Sequence, residues 1–403
     1  MGTVTVNTKQ TADPVCPVRR VVFFGSFGPP SLTFARSCHA TGIAVYLLTP
    51  GQPDNPAKVQ SSCFAGAAMM GVEMVGKPRG IEAILDYARS VGAEALAAIS
   101  DAHCLWLAKN RAAFDGVCRL LLPSAECLER VASKTDQIAL AKSVGLEVLP
   151  TWVIRSASDV AAIHPGDYPV CLRPAIPGAV EPSFKVLMAG SADELLRYIR
   201  QVWTLHDAVI AQPIRVLPNL IIHACSREGG EILSAAAFLV DRKFEGLALR
   251  VRPITMPAGL AEKIARFSRE AKLSGVYHFD FLYIPQTSEA FYLEVNVRFG
   301  GTTDKVFRLG IDEPADCLRA YGLAGPNPVH RHITSRPVVN KRATLKHFLT
   351  TLRRGQEPWD YPPESRLSGA IHSVTDLLLA RDSITDFADL KGTLAFHLQG
   401  LIQ

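Results

Sequence analysis

The 403-residue chain has no apolar run near the length of a bilayer span, so no transmembrane helix is expected. Its opening stretch, MGTVTVNTKQTADP, is polar and lacks the apolar segment of a secretory signal. Gly2 begins something close to an N-myristoylation motif, but Val6 stands where Ser or Thr is required. No block of Lys and Arg occurs, and a net charge of +5 is mild, so no nucleic-acid patch is indicated. The nine cysteines are odd in number and no CxxC pair occurs, which removes the basis for a disulfide framework or a zinc ribbon. His330 and His332 have no nearby Cys or Glu to complete a metal set. These absences point to a reducing, cytoplasmic setting with neither nucleic acid nor membrane as partner. A homodimer stays open.

Hydrophobic residues make up 48% of the chain and charged residues 20%, the balance of a soluble globular protein with core enough for two or three domains. Residues 18–122 alternate apolar strands with helices. The strands are expected at Arg20–Phe24, Ile43–Thr49, Ala95–Ser100 and Val117–Leu122. The helices are expected after Pro30, near Ile81–Val91 and over Cys104–Phe114. Such alternation implies an α/β fold with a doubly wound parallel sheet. The glycine-rich turn Gly25-Ser26-Phe27-Gly28-Pro29-Pro30 leads from the first strand into a helix that Gly42 closes. A helix N-terminus of this kind can present backbone N–H groups to a substrate carboxylate.

The segment GVYHFDFLYIPQTSEAFYLEVNVRFGG, from Gly275 to Gly301, reads as two strands joined by a polar turn. Asp280 lies in the first. Glu294, Asn296 and Arg298 follow at spacing two in the second, and so share one face. Two carboxylates and an amide oxygen suit Mg²⁺, a hard cation that takes oxygen and phosphate ligands, with Mn²⁺ as an alternative. Arg298 adds a cation able to grip phosphate or carboxylate bidentately. The same alternation also describes the wet face of any half-buried antiparallel sheet.

YLEVNVRFGG resembles the E-x-N-x-R-x-GG signature of the ATP-grasp superfamily of carboxylate–amine ligases, and HFDFLY resembles its Asp-Phe strand. Three further stretches resemble that family in the expected order. They are PSAECLERVASKTDQIALAKSVGLEVLPTWVI, YPVCLRPAIPGAVEPSFKV and AVIAQPIRVLPNLIIHACSREGGEIL. The resemblance implies ATP as nucleotide. Lys134 and Arg173 then stand at the two phosphate-binding cation positions. Ser183 and Lys185 lie in the phosphate loop, Gln212 and Ile214 in the adenine hinge, and Asn219 where an acid usually holds the ribose. Asp280, Glu294 and Asn296 become metal ligands, and Arg298 the catalytic cation beside an acyl phosphate. Arg173 replaces the usual lysine, the phosphate loop keeps one glycine, Gly178, and Pro213 removes a hinge donor. His278 lies two before Asp280 on the same strand face, and Asp304 and Lys305 are either acceptor-recognising groups or a solvated pair.

The expected layout is an extended or disordered N-terminus over 1–17 and a Rossmann-like pre-ATP-grasp domain over 18–122. A two-lobed α+β ATP-grasp domain follows over 123–320, with a flap lobe at about 152–212, and then a small helix–strand C-terminal appendage over 321–403. The expected reaction joins a small-molecule carboxylate to an amine through an acyl phosphate, with amino acids or natural-product acids as substrates. EVNVRFGG looks more like the amino-acid ligase and biotin-carboxylase side of the superfamily than the D-alanine ligase side, and no Met-Lys-Met carrier motif is present. Two other readings stay open. One is an ATP-binding protein of the same fold with weakened catalysis. The other is a nucleotidyltransferase built on FFGSFGPP, although the histidines that should follow that loop are missing.

Overall fold

The computed structural model describes residues 16–51, 60–325, 334–357 and 360–398. The expectations placed on Gly2, Val6, His330 and His332 lie outside these residues. Five parallel strands form the first sheet: Phe64–Gly71, Ala44–Gly51, Arg20–Phe24, Ala95–Ala98 and Arg119–Leu120, in that spatial order. The chain order reverses between Arg20–Phe24 and Ala95–Ala98, which is the switch point where open α/β sheets place ligands. Phe64–Gly71 was not expected as a strand. Its FAGAAMMG sequence carries neither β-branched residues nor clean alternation, and parallel pairing with Ala44–Gly51 imposes the conformation.

The turn after Arg20–Phe24 needs its first glycine. Gly25 has φ +156°, and a Cβ there would sit 2.4 Å from Ile99 Cγ2. The following helix, Pro29–Ala40, opens with two prolines. Two of its first backbone N–H groups are therefore missing, and the expected carboxylate seat at this helix end is correspondingly poor in donors.

A four-stranded antiparallel sheet follows, ordered Leu187–Ala189, Val170–Pro174, Val209–Pro213, Trp152–Ile154. It packs its own apolar core around Ile154, Leu172, Val209 and Trp203. Between the two sheets the structure has two helices where one was expected. Ala125–Ala132 ends at Ser133, whose hydroxyl accepts from Asp136 N and caps a new helix, Lys134–Ser143. Lys134 is thus the first residue of a helix and not a position within a longer one.

The largest sheet has eight strands. Its long members are Leu247–Ile254, Ile232–Phe244, Asn219–Ser226, Gly275–Ile284 and Glu289–Asn296, all antiparallel. Short strands extend the two edges: Glu147–Val148 at one, Val338–Val339 and then Arg381–Asp382 at the other. The C-terminal segment therefore continues this sheet. It is also tied to the first helix, because Arg36 is buried against Asp389 at 2.9 Å.

One face of the sheet is aromatic. Phe279, Phe281 and Tyr292 are fully buried against Leu260, Ile264 and Phe267 of the amphipathic helix Leu260–Glu270. Burying a side chain of this size stabilises the fold by about 1.5–3 kcal/mol each. The opposite face carries the polar residues of the motif.

Candidate active site

Two neighbouring strands build the site's floor. Asp280 pairs with Glu294 and His278 with Asn296 across Gly275–Ile284 and Glu289–Asn296. A bulge between Asp280 and Phe281 leaves Leu293 without a partner. It lets Tyr292 enter the core while Glu294, two residues on, faces the site, a re-aiming typical of bulges beside functional residues. Gln137 secures this arrangement. Its Oε1 accepts from Tyr292 Oη at 2.6 Å and from Val295 N at 2.9 Å. Gln137 is one helical turn after Lys134, so the contact that pins the strand also aims the lysine.

Lys134 Nζ donates to Glu294 Oε2 at 2.8 Å, and Arg173 Nη1 lies 3.4 Å from the same oxygen. Arg173 comes from the four-stranded sheet, where buried Gln212 accepts from its Nη2 at 2.7 Å and donates to Thr151 Oγ1 at 2.9 Å. Asn296 Nδ2 donates to Glu294 Oε1 at 3.1 Å and to Asp280 Oδ2 at 3.3 Å, and its Oδ1 accepts from Arg298 at 3.3 Å. Six residues named from the sequence, Lys134, Arg173, Asp280, Glu294, Asn296 and Arg298, therefore form one connected polar network. Gln212 joins it through its side chain.

The others do not join it. Ser183 and Lys185 are exposed, and neither has a hydrogen bond or ion pair among the described residues. Ile214 donates its backbone N–H to Pro169 O. Asn219 Oδ1 accepts from Lys243 Nζ at 2.9 Å.

Electrostatics separates the two carboxylates. Burial alone would raise Glu294, but the Lys134 ammonium and the Arg173 guanidinium override it and hold the acid at about 2. Burial, reinforced by the charge on Glu294, pushes Asp280 up to about 7. Two oxygen acids bridged only by a neutral amide, one of them costly to ionise, form a donor set that a divalent cation fits. The residues that would hold Mg²⁺ are Asp280, Glu294 and Asn296, whose amide would turn its oxygen inward. No cluster of three or more His, Cys, Asp or Glu suited to a metal occurs among the described residues.

Three features escaped the sequence reading. Asp101 opens the helix Asp101–Lys109 at the switch point of the first sheet and receives Arg298 in a fork, at 2.7 Å to Nε and 3.1 Å to Nη2. Lys243 is largely buried near Asp280 and Asp360, and that burial lowers its ammonium to about 8. His223 accepts or donates at both ring nitrogens, to Glu313 at 2.6 Å and to Thr302 Oγ1 at 2.9 Å, and stacks on His278 with ring centroids 5.3 Å apart. A Cβ on Gly300 would meet His278 Cε1 at 2.4 Å, which explains a glycine after Arg298-Phe299. Asp304 and Lys305 are 1% and 4% exposed, so the alternative of a solvated pair is overturned: both lie inside the short helix Thr303–Arg308.

No family model matches the chain. It is 24% identical over 181 residues to the D-alanine–D-alanine ligase of Bartonella henselae, which covers 41% of this chain and 57% of that protein. The corresponding ligase of Bartonella bacilliformis is 24% identical over 180 residues, covering 41% and 56%. The chain thus spans a little over half the length of these curated relatives. Among solved structures it is similar to the biotin carboxylase domain of the Hydrogenobacter thermophilus 2-oxoglutarate carboxylase, in complex with MgADP, ADP and bicarbonate. There the TM-score is 0.61 at 15% identity, covering 80% of this chain and 74% of that one. It is also similar to an N5-carboxyaminoimidazole ribonucleotide synthetase in complex with ADP, with a TM-score of 0.61 at 11% identity and coverage of 91% and 98%. These likenesses show the fold. The chain has an α/β architecture similar to that of these structures, with its parallel sheet ahead of the four-stranded antiparallel sheet and the eight-stranded sheet.

Proposed function

We propose that the protein is an ATP-dependent ligase that joins a small-molecule carboxylate to an amine, with amino acids or natural-product acids as the substrate class. The observation that carries this reading is the single network running from Lys134 and Arg173 through Glu294 and Asn296 to Asp280 and Arg298. A module that only held a nucleotide would need the cations. It would not need two carboxylates with divergent proton affinities beside a clamped arginine.

In this reading the carboxylate oxygen of the first substrate attacks the γ-phosphorus of ATP, and the bond to ADP breaks. An acyl phosphate results. The amine then attacks the acyl carbon, loses a proton, and expels phosphate. Lys134 and Arg173 leave Glu294 for the phosphate oxygens, and Lys243, two strands from Asp280 in the same sheet, adds a third cation. Mg²⁺ held by Asp280, Glu294 and Asn296 would offset phosphate charge. Arg298, aimed by Asp101, faces the place where charge develops on the acyl phosphate and the tetrahedral intermediate. Gln212 orients Arg173, the peptide groups around Ile214 form the adenine hinge, and Ser183 and Lys185 approach the phosphates if the four-stranded lobe closes. Asn219, which accepts from Lys243 in the ligand-free site, stands at the ribose position in this reading. The cytoplasm, with its supply of Mg-ATP, is the setting this chemistry requires.

The test is release of ADP and phosphate from Mg-ATP over pooled amino acids and small carboxylates, run beside Glu294→Ala. Turnover that requires a substrate pair and disappears in the variant supports the ligase. Release of AMP and pyrophosphate would instead mean nucleotidyl transfer. ATP binding without turnover in any pool would favour a catalytically weakened member of the fold.

A further inference from the structure

A turn of unusual pitch lies in the four-stranded lobe. After the helix Ala192–Arg197 the backbone makes one π turn over Tyr198–Val202 and then enters the strand Thr204–Leu205. The bond that closes it runs from Trp203 N–H to Tyr198 O at 2.8 Å, a span of five residues. In an α-helix residues three and four apart share a face, whereas a π turn brings residues five apart together. Tyr198 and Trp203 are such a pair, and their rings stack with centroids 5.1 Å apart and planes 11° from parallel. Trp203, 8% exposed, also stacks on Phe184, 4.9 Å away at 18°. The Tyr198 end of the stack is tied to the helix. Its Oη donates to Glu194 Oε1 at 3.1 Å, and the Arg197 guanidinium lies 5.7 Å from its ring centroid.

Phe184 is the middle residue of Ser183-Phe184-Lys185 in the phosphate loop, and both of its neighbours are exposed. The segment that carries Trp203 also holds the start of this loop. Val180–Glu181 pairs with Thr204–Leu205, and Ala179 O accepts from His206 N at 2.8 Å and from Asp207 N at 3.1 Å. The loop's glycine, Gly178 at φ +80°, lies ahead of these anchors. From Ala179 to Lys185 there is no glycine, so contacts and not backbone freedom set the loop's course. The stack therefore runs from the core of the lobe to a half-buried ring between two polar groups that have no hydrogen bond or ion pair among the described residues. Given the ATP-using reading of this site, on which the assignment rests, we propose that Trp203, presented by the π turn, is a positioning residue for the phosphate loop. Through Phe184 it fixes where the Ser183 hydroxyl and the Lys185 ammonium stand, so that both meet the terminal phosphates when the lobe covers the nucleotide. Misplacing such groups by a fraction of the loop's width is enough to lose their contacts.

The experiment is equilibrium dialysis of radiolabelled Mg-ATP and of AMP against the full chain, with thermal midpoints measured beside it. The variants are Trp203→Leu, Trp203→Phe, Phe184→Leu and Ser183→Ala/Lys185→Ala. AMP lacks the terminal phosphates and so reports the rest of the nucleotide site. Trp203→Leu and Phe184→Leu are each expected to weaken Mg-ATP about tenfold, the scale of losing one hydrogen bond to a charged group, and AMP by less than about twofold. Trp203→Phe keeps a ring to stack and should retain most of the affinity. Adding Trp203→Leu to Ser183→Ala/Lys185→Ala should cost less than about twofold more, because the groups it positions are already gone. Phe184 is only half-buried, so Phe184→Leu carries the test if Trp203→Leu lowers the midpoint. Equal losses for ATP and AMP overturn the proposal and leave the stack a packing contact, as do losses that add fully to those of the double variant. A wild type that binds Mg-ATP no better than Trp203→Leu and Phe184→Leu overturns the proposal alone. A wild type that binds no Mg-ATP overturns the ATP-using reading together with it.

Discussion

The central strand pair and the C-terminal helix pair each have two unlike faces, and they orient them oppositely. Gly275–Ile284 and Glu289–Asn296 turn Phe279, Phe281 and Tyr292 into the core and leave Asp280, Glu294 and Asn296 on the working side. Lys341–Arg354 and Arg366–Leu379 turn threonine, serine and glycine inward and leave their leucines outside. In the strand pair, packing energy and chemistry occupy separate faces, so each can change without the other. In the helix pair the apolar face is left largely exposed to solvent.

This contrast can be broken by substitution. Glu294→Ala removes the acceptor shared by Lys134 and Arg173, and ADP formation should fall by about 10³-fold or more while the fold persists, the scale on which a positioned charge acts. Phe279→Ala, one residue before Asp280 on the other face, should do the reverse. Unfolding in denaturant should show a loss of about 3–5 kcal/mol, with substrate affinities of the surviving folded protein little changed. Asp101→Ala frees Arg298, and turnover should drop roughly ten- to a hundredfold with KM nearly unaltered, because orientation is lost and not charge. Asp101→Glu should recover part of it.

Proton dependence sharpens the same division. Asp280 holds its proton to about pH 7. Mg-nucleotide affinity should therefore weaken by about tenfold per pH unit below that value, and Asp280→Asn should flatten the profile. Without cation the sign reverses. A carboxyl whose folded value is raised contributes stability below the ordinary carboxylate range, and this is lost as pH rises through about 7. The smallest effect belongs to the helix pair. Leu378→Ala should change the stability of dilute monomer by no more than about 0.5 kcal/mol.

The sequence made the strand pair legible because its chemistry is local. Glu294, Asn296 and Arg298 sit at period two, and alternation shows them to share a face before any fold is known. Lys134 was legible through the resemblance of its segment, although the helix break at Ser133 was not. The bulge at Asp280 was hidden, since nothing in YLEV announces that Tyr292 and Glu294 face opposite ways. Asp101, Lys243 and the His223–Glu313 contact were hidden for another reason. Their partners lie 197 residues away for Asp101 and Arg298, and 90 for His223 and Glu313, and no period connects them. The outward leucines of the helix pair were not legible, because periodicity gives an apolar face but not what covers it.

The separation between Asp101 and Arg298 also sets an order in time. A ribosome adding about 5–20 residues per second delivers the aspartate roughly 10–40 seconds before the arginine. The first sheet can close long before its partner exists, and its free carboxylate waits in water. The fork on Arg298 can form only once the last strand of the motif has paired. Asp389 reaches Arg36 later still, across 353 residues. Synthesis thus finishes the support of Arg298 before it fastens Asp389 to Arg36, and a nascent chain stalled between those two events would carry an assembled polar network on an unlatched frame.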